Sequence, residues 1–130
     1  MKTIQLKTSG FSLVEVLAAV AILGIMAFLA IQNIVTMKSD AETNLSIARA
    51  EAVNMGMASY IQANGRSAAI SGWGGAANDQ ARYDLVTPYL AFAPLNFSEY
   101  MPSTYSLNLP TNITTLSKVG LGGPAGTINY

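Results

Sequence analysis

The residues best placed to do chemistry are a carboxylate and the stretch that carries it, Gly10-Phe11-Ser12-Leu13-Val14-Glu15, directly before the uncharged apolar run Val16 to Ile31. A charged group at the centre of a membrane-spanning helix costs about 2.5–3.5 kcal/mol on insertion scales, so it calls for a partner. Glu15 is therefore expected to need a cation. Other chemistries have little to work with. The sequence has no cysteine and no histidine, which excludes disulfides, thiolate nucleophiles, Cys/His metal sites and histidine acid–base schemes. Asp79, Asp84 and Glu99 could offer oxygen ligands to calcium, but no dense acidic loop gathers them, and solvated or capping carboxylates are the default reading. Gly72 to Ala77 and Gly120 to Ala125 fit a loose dinucleotide pattern without the strand before or the helix after that such a site requires. No glycine loop ends in Lys-Ser or Lys-Thr. Neither an enzyme activity nor a cofactor is expected.

The elements that must position Glu15 follow from composition. The 130 residues suit one domain plus a membrane segment, and 51% are hydrophobic. Seven basic and seven acidic residues cancel, so nothing points to nucleic acid as a partner. Met1 to Gly10 holds Lys2 and Lys7 and no acid, the basic flank that stays cytoplasmic under the positive-inside rule. As a helix, Phe11 to Ile31 spans roughly 30 Å, one bilayer thickness. A secretory signal peptide or a plain single-pass anchor are the simplest alternatives. The run is long for a signal, however, and Ala27-Phe28-Leu29-Ala30 leads on into further helix, not into a small-residue cleavage site. An anchor alone has no reason to keep Glu15.

In this order, ahead of an apolar helix, Gly10-Phe11-Ser12-Leu13-Val14-Glu15 resembles the cleavage and methylation motif of type IV prepilins and type II secretion pseudopilins. The resemblance covers about the first 40 residues. It implies an aspartyl prepilin peptidase in the membrane that cuts between Gly10 and Phe11, N-methylation of the new Phe11 amine, and a pairing of Glu15 with the Phe11 amine of a neighbouring copy. The physical logic is consistent. Glycine lets a protease approach the backbone closely, and a free α-amine, with a reference pKa near 7.7–8.0, is largely charged at neutral pH. A buried ion pair is a better register device than a source of stability. The resemblance also implies an inner-membrane precursor with its head outside the cytoplasm, then a periplasmic pseudopilus or a cell-surface pilus. Expected partners are copies of itself, other pilin-like subunits, prepilin peptidase, an inner-membrane assembly platform and the membrane. Many family members carry proline where this chain has Gln32, which leaves Gly24 as the weak point of the apolar helix.

The expected architecture is α+β and pilin-like: a leader over 1–10, a transmembrane and filament-core helix over 11–32, an amphipathic helix over 33–64, and a head over 65–130 with a small antiparallel sheet. No proline occurs before Pro88, and Gly65 is the helix stop. Ile34, Met37, Ala41, Leu45, Ala48, Ala52, Met55 and Ser59 recur every three or four residues and are expected to pack on the head. Residues 65–82 are expected to form a glycine-rich loop pinned by Trp73, with Asp79 capping a short helix from about Gln80 to Tyr89. Tyr105 to Leu109 has strand alternation, Ile113 to Val119 should pair back, Gly120 to Gly126 should turn, and Thr127 to Tyr130 should form a last strand. A mature length of 120 (130 minus 10) and the lack of a cysteine pair lean towards a pseudopilin. The alternatives are a surface pilus subunit and a non-polymerising membrane-anchored domain that recognises ligands through Trp73 and its loop.

Overall fold

The computed structural model describes residues 9–130; the basic flank with Lys2 and Lys7 lies outside them. In chain order the elements are α1 (Leu13–Asn64), α2 (Arg66–Gly75), α3 (Asp79–Val86), two 3-10 turns (Thr87–Tyr89 and Phe97–Glu99), and strands β1 (Ser106–Asn108), β2 (Gly120–Gly123) and β3 (Gly126–Ile128). The strands form one antiparallel sheet in the order β1-β2-β3. This is the α+β architecture expected. The chain divides into two compact units between Ser39 and Asp40.

The first unit, as described, is the N-terminal half of α1. Leucine, alanine, isoleucine and methionine without proline favour helix, and the mean hydropathy reaches 2.6 over a window none of which is buried. Among the described residues, α1 is long and apolar enough to cross a membrane.

The second unit holds the core. Here α1 buries Ser46, Ala50, Val53, Gly56, Met57 and Tyr60. This corrects the expected stripe, because Leu45 and Met55 are 46% and 71% exposed. The buried line runs one position later, about 100° around the helix. Both lines have three-four spacing and mix small with large residues, so periodicity alone does not choose between them. Packing does: the side chains of Val86 and Leu90 would come within 3.0 Å of a Cβ at position 56, so glycine there lets α3 and the following turn approach. Helix α1 ends where expected, with Gly65 at φ 79°, a conformation glycine adopts freely.

Residues 66–75 form a helix where the sequence suggested a loop. Its glycines are weak helix formers, but Ala69 and Trp73, four apart, are both fully buried and fasten it to the core. The Trp73 indole Nε1 donates to the Pro110 carbonyl at 2.7 Å. Trp73 is thus the plug the sequence suggested. In α3 the cap sits one residue earlier than expected. Asn78 Oδ1 accepts from the Ala81 N–H at 2.9 Å, while Asp79, the first helical residue, pairs with Arg82 at 2.9 Å.

The sheet differs in its second strand. Leu107 of β1 is buried between exposed Ser106 and Asn108, as alternation predicted. Its partner is the glycine-rich segment β2, with Leu107 opposite Leu121, and not Ile113 to Val119. A Cβ at Gly122 would lie 2.5 Å from Ser106 Oγ, and one at Gly123 2.7 Å from Ile128 Cδ1. A larger residue at either position would have to displace the Ser106 or Ile128 side chain, so the flanking strands accommodate glycines that read as a turn. The turn is only Pro124-Ala125, and β3 begins at Gly126. Ile113 and Val119 enter the core singly, and the Val119 N–H donates to Asn54 Oδ1 of α1 at 2.9 Å instead of to a strand.

Burial raises the Tyr83 hydroxyl above its ordinary pKa, with the nearby Tyr100 phenol adding to the effect, and burial raises Tyr100 against the opposing pull of Arg49. A folded pKa above the unfolded value of about 10 means that stability is full below about pH 10 and lost as pH rises through the folded values. Urea unfolding followed by far-UV circular dichroism should show stability level to about pH 9.5 and declining beyond, with a shallower decline in Tyr83→Phe.

Candidate functional site

Ser9 to Ser12 are non-helical and exposed, and α1 begins at Leu13. The start is fixed by two reciprocal bonds. Ser12 Oγ accepts from the Val14 N–H at 3.2 Å, and Glu15 Oε2 accepts from the Ser12 N–H at 2.8 Å. This is a capping box, which satisfies two N–H groups that a helix end otherwise leaves without partners. The first helical bond runs from Val16 N–H to the Ser12 carbonyl at 3.2 Å.

The placement changes the expectation for Glu15. In the single chain its carboxylate is not bare, since it accepts a backbone bond and sits in the first turn of α1, where the helix dipole favours negative charge. Ser12 is the residue that sequence reasoning passed over. Its signal was present in the Ser-x-x-Glu spacing before an apolar run.

Gly10 and Phe11 precede the cap. A Cβ at position 10 would meet no atom of the described residues within 4 Å, so none of them forces glycine there. The Phe11 ring is 90% exposed. Phe11, Glu15, Val16, Ala19 and Val20 line one open apolar groove of about 470 Å³ whose only charged group, among the described residues, is Glu15. The structure thus brings Phe11 and Glu15 to a common surface at the start of α1, with Gly10 next in sequence.

The remaining candidates fall away from this site. Trp73 is fully buried, so its ring is not part of the surface on which the binding-domain reading relied. Asp79 pairs with Arg82, Asp84 Oδ1 accepts from Gln80 at 2.8 Å, and Glu99 Oε1 accepts from Asn96 at 3.0 Å. Among the described residues no three acidic side chains gather as a metal site.

Residues 6–31 match the prokaryotic N-terminal methylation motif, the signature of type IV pilins and pseudopilins. A methylation motif at the start of an apolar helix of membrane-spanning length points to a pilin-like protein, a class in which the motif implies assembly with other pilin subunits. No curated protein and no solved structure matches the chain.

Ser12→Ala should cost about 1 kcal/mol of local helix stability, roughly a fivefold rise in hydrogen exchange at the Val14 amide, while Ser12→Thr keeps the cap. Exchange measured by NMR on the full-length protein in detergent micelles checks this.

Proposed function

We propose that this chain is a structural subunit of a pilus-like filament, cut by prepilin peptidase between Gly10 and Phe11, N-methylated at Phe11, and assembled through its N-terminal helix. Residues 1–10 are the leader, 11–32 the helix that passes from membrane to filament core, 33–64 the helix that carries the head, and 65–130 the rest of the head. The observation that carries the reading is the match at residues 6–31 to the methylation motif. Gly10 supports it further. With no described atom close to it and no positive φ, its lack of a side chain answers to no need among the described residues, and it suits close approach by a protease to an extended bond.

Cutting frees a cation on Phe11 beside a carboxylate in an apolar surface. Glu15 then has a choice of partner: the Ser12 N–H of its own chain, or the Phe11 amine of the next copy. Both bonds are charge-assisted through the carboxylate, but the amine also brings an opposite full charge, so its pairing with Glu15 is an ion pair and the Ser12 bond is not. In a dry interface a carboxylate left without its ion is heavily penalised, so the pair sets the stacking register. Precursor chains hold no amine at Phe11. Processing therefore gates assembly.

Of the two filament types, we assign the pseudopilus of a type II secretion system, with the inner-membrane assembly platform as the site of incorporation. The support is the cysteine-free head, held by its core without any disulfide.

Mass spectrometry of protein taken from its native membrane should find a mature N-terminus at methylated Phe11; an intact Met1, or a cut beyond Ile31, contradicts the filament reading. Glu15→Ala should leave the cut at Gly10 intact and lower filament yield by roughly tenfold or more. Wild-type yield in that variant removes the pairing. Long sheared fibres on the cell surface, seen by electron microscopy at native expression, would move the assignment from pseudopilus to pilus.

A further inference from the structure

Phe92 is the one residue other than glycine, among the described residues, with positive φ, at 55°. Its side chain is fully exposed, and Leu95, three residues on, is 87% exposed. A bulky residue in the left-handed region is strained, and such strain persists where function requires it. The same residue presents its aromatic ring to solvent, where it gains no packing in its own chain. The ring is not isolated. Phe92 lines a groove of about 270 Å³ with Ala48 and Ala52 of α1, and exposed Leu45 and Met55 continue that face of the helix. Arg49 and Tyr100 give the groove a polar side, and exposed apolar residues beside such a rim mark an interaction surface.

The same head also carries a socket. Ala58, Ile61, Arg66, Ile113 and Leu116 line an open pocket of about 200 Å³. A cavity of ~150 Å³ suffices to hold benzene. Arg66 is fixed at the wall by donating from Nη2 to the Thr114 carbonyl at 2.6 Å, where its guanidinium can meet an aromatic face. At about 100° per residue, the groove positions Ala48 and Ala52 and the socket positions Ala58 and Ile61 fall on either side of the buried line of α1. Knob and socket therefore occupy different faces of one head.

We propose that the Phe92 ring of one copy inserts into the Ile61–Ile113–Leu116 socket of the next copy, a head-to-head contact that supplements assembly through the N-terminal helix. Under the filament reading a second copy is the occupant, since the methylation motif at residues 6–31 implies assembly with other pilin-like subunits. A knob and socket on different faces of the same molecule also make a heterologous contact, which propagates as an open helical array instead of closing as a dimer. The proposal rests on the filament reading above.

The chain has no cysteine, so Leu95→Cys and Ser117→Cys, beside the knob and beside the socket wall at exposed positions, provide unique handles that leave both lining surfaces intact. Sheared filaments of the full-length gene product, made in cells with the peptidase and assembly machinery, are treated with a short bis-maleimide. A ladder of covalent multimers from the double variant, and monomers only from each single variant, is the expected result. Intact filaments without a ladder, or a dimer from Leu95→Cys alone, overturn the contact and leave the filament reading standing. An unprocessed Met1 with no filaments overturns both. Phe92→Gly separates function from folding. Its melting temperature, read from the buried Trp73 fluorescence, should equal or exceed that of the wild type because glycine relieves the positive φ, while filament yield falls roughly tenfold or more. A clearly lower melting temperature, or wild-type yield, overturns the proposal.

Discussion

A carboxylate at the head of an apolar helix has few sources of compensation, and among the described residues the bond from the Ser12 N–H to Glu15 at 2.8 Å is one that the chain supplies for itself. Much else at the N-terminus depends on it. The reciprocal bond from Val14 N–H to Ser12 Oγ completes the cap, the cap sets the first helical residue at Leu13, and Gly10 and Phe11 are left outside the helix. The same few residues thus hold a charge at low cost in the isolated subunit and keep the proposed scissile bond in a form an enzyme can reach. Under the proposed assembly, Glu15 gives up a neutral donor for a charged one, so the exchange of partners favours the processed state without the carboxylate ever being bare.

The head is built on a different principle. Its three strands are short, and long polar side chains do much of the work of joining them to α1. Asn54 receives the Val119 N–H and donates to the Tyr130 hydroxyl, Tyr100 donates to the Arg49 carbonyl, and the Thr43 and Tyr105 hydroxyls meet at 2.8 Å. Each bond satisfies a polar group that burial would otherwise penalise. Around them Trp73, Tyr83, Met57 and Leu121 fill the core. Small residues, Ala50 and Gly56 on α1 and Gly122 and Gly123 in β2, let backbones come close where a larger side chain would collide.

The N-terminal half was the more legible in sequence because its signals are local. Hydropathy over one window finds the membrane-length helix, and a single glycine of positive φ, Gly65, ends it at the expected place. The head was less legible because its pattern is set by contacts distant in the chain. Two lines of small and apolar residues compete on α1, and only the docking of Val86 and Leu90 against Gly56 chooses between them. The glycines of β2 imitate a turn because their reason lies in Ser106 and Ile128. Residues 66–75 imitate a loop because burial of Ala69 and Trp73 overrides weak helix propensity. At the site itself, Gly10, Phe11 and Glu15 stood out in sequence, whereas Ser12, readable from its spacing to Glu15, was eclipsed by the charge it holds.

The central claim is that Glu15 exchanges its own Ser12 N–H for an amine on another copy. A cryo-electron microscopy map of the assembled filament, at a resolution that shows carboxylates, tests it most directly. The account predicts Glu15 within about 3 Å of the methylated Phe11 nitrogen of an adjacent subunit, the distance of a charge-assisted hydrogen bond. A filament in which Glu15 keeps to Ser12, with every neighbouring Phe11 amine beyond its reach, would contradict it.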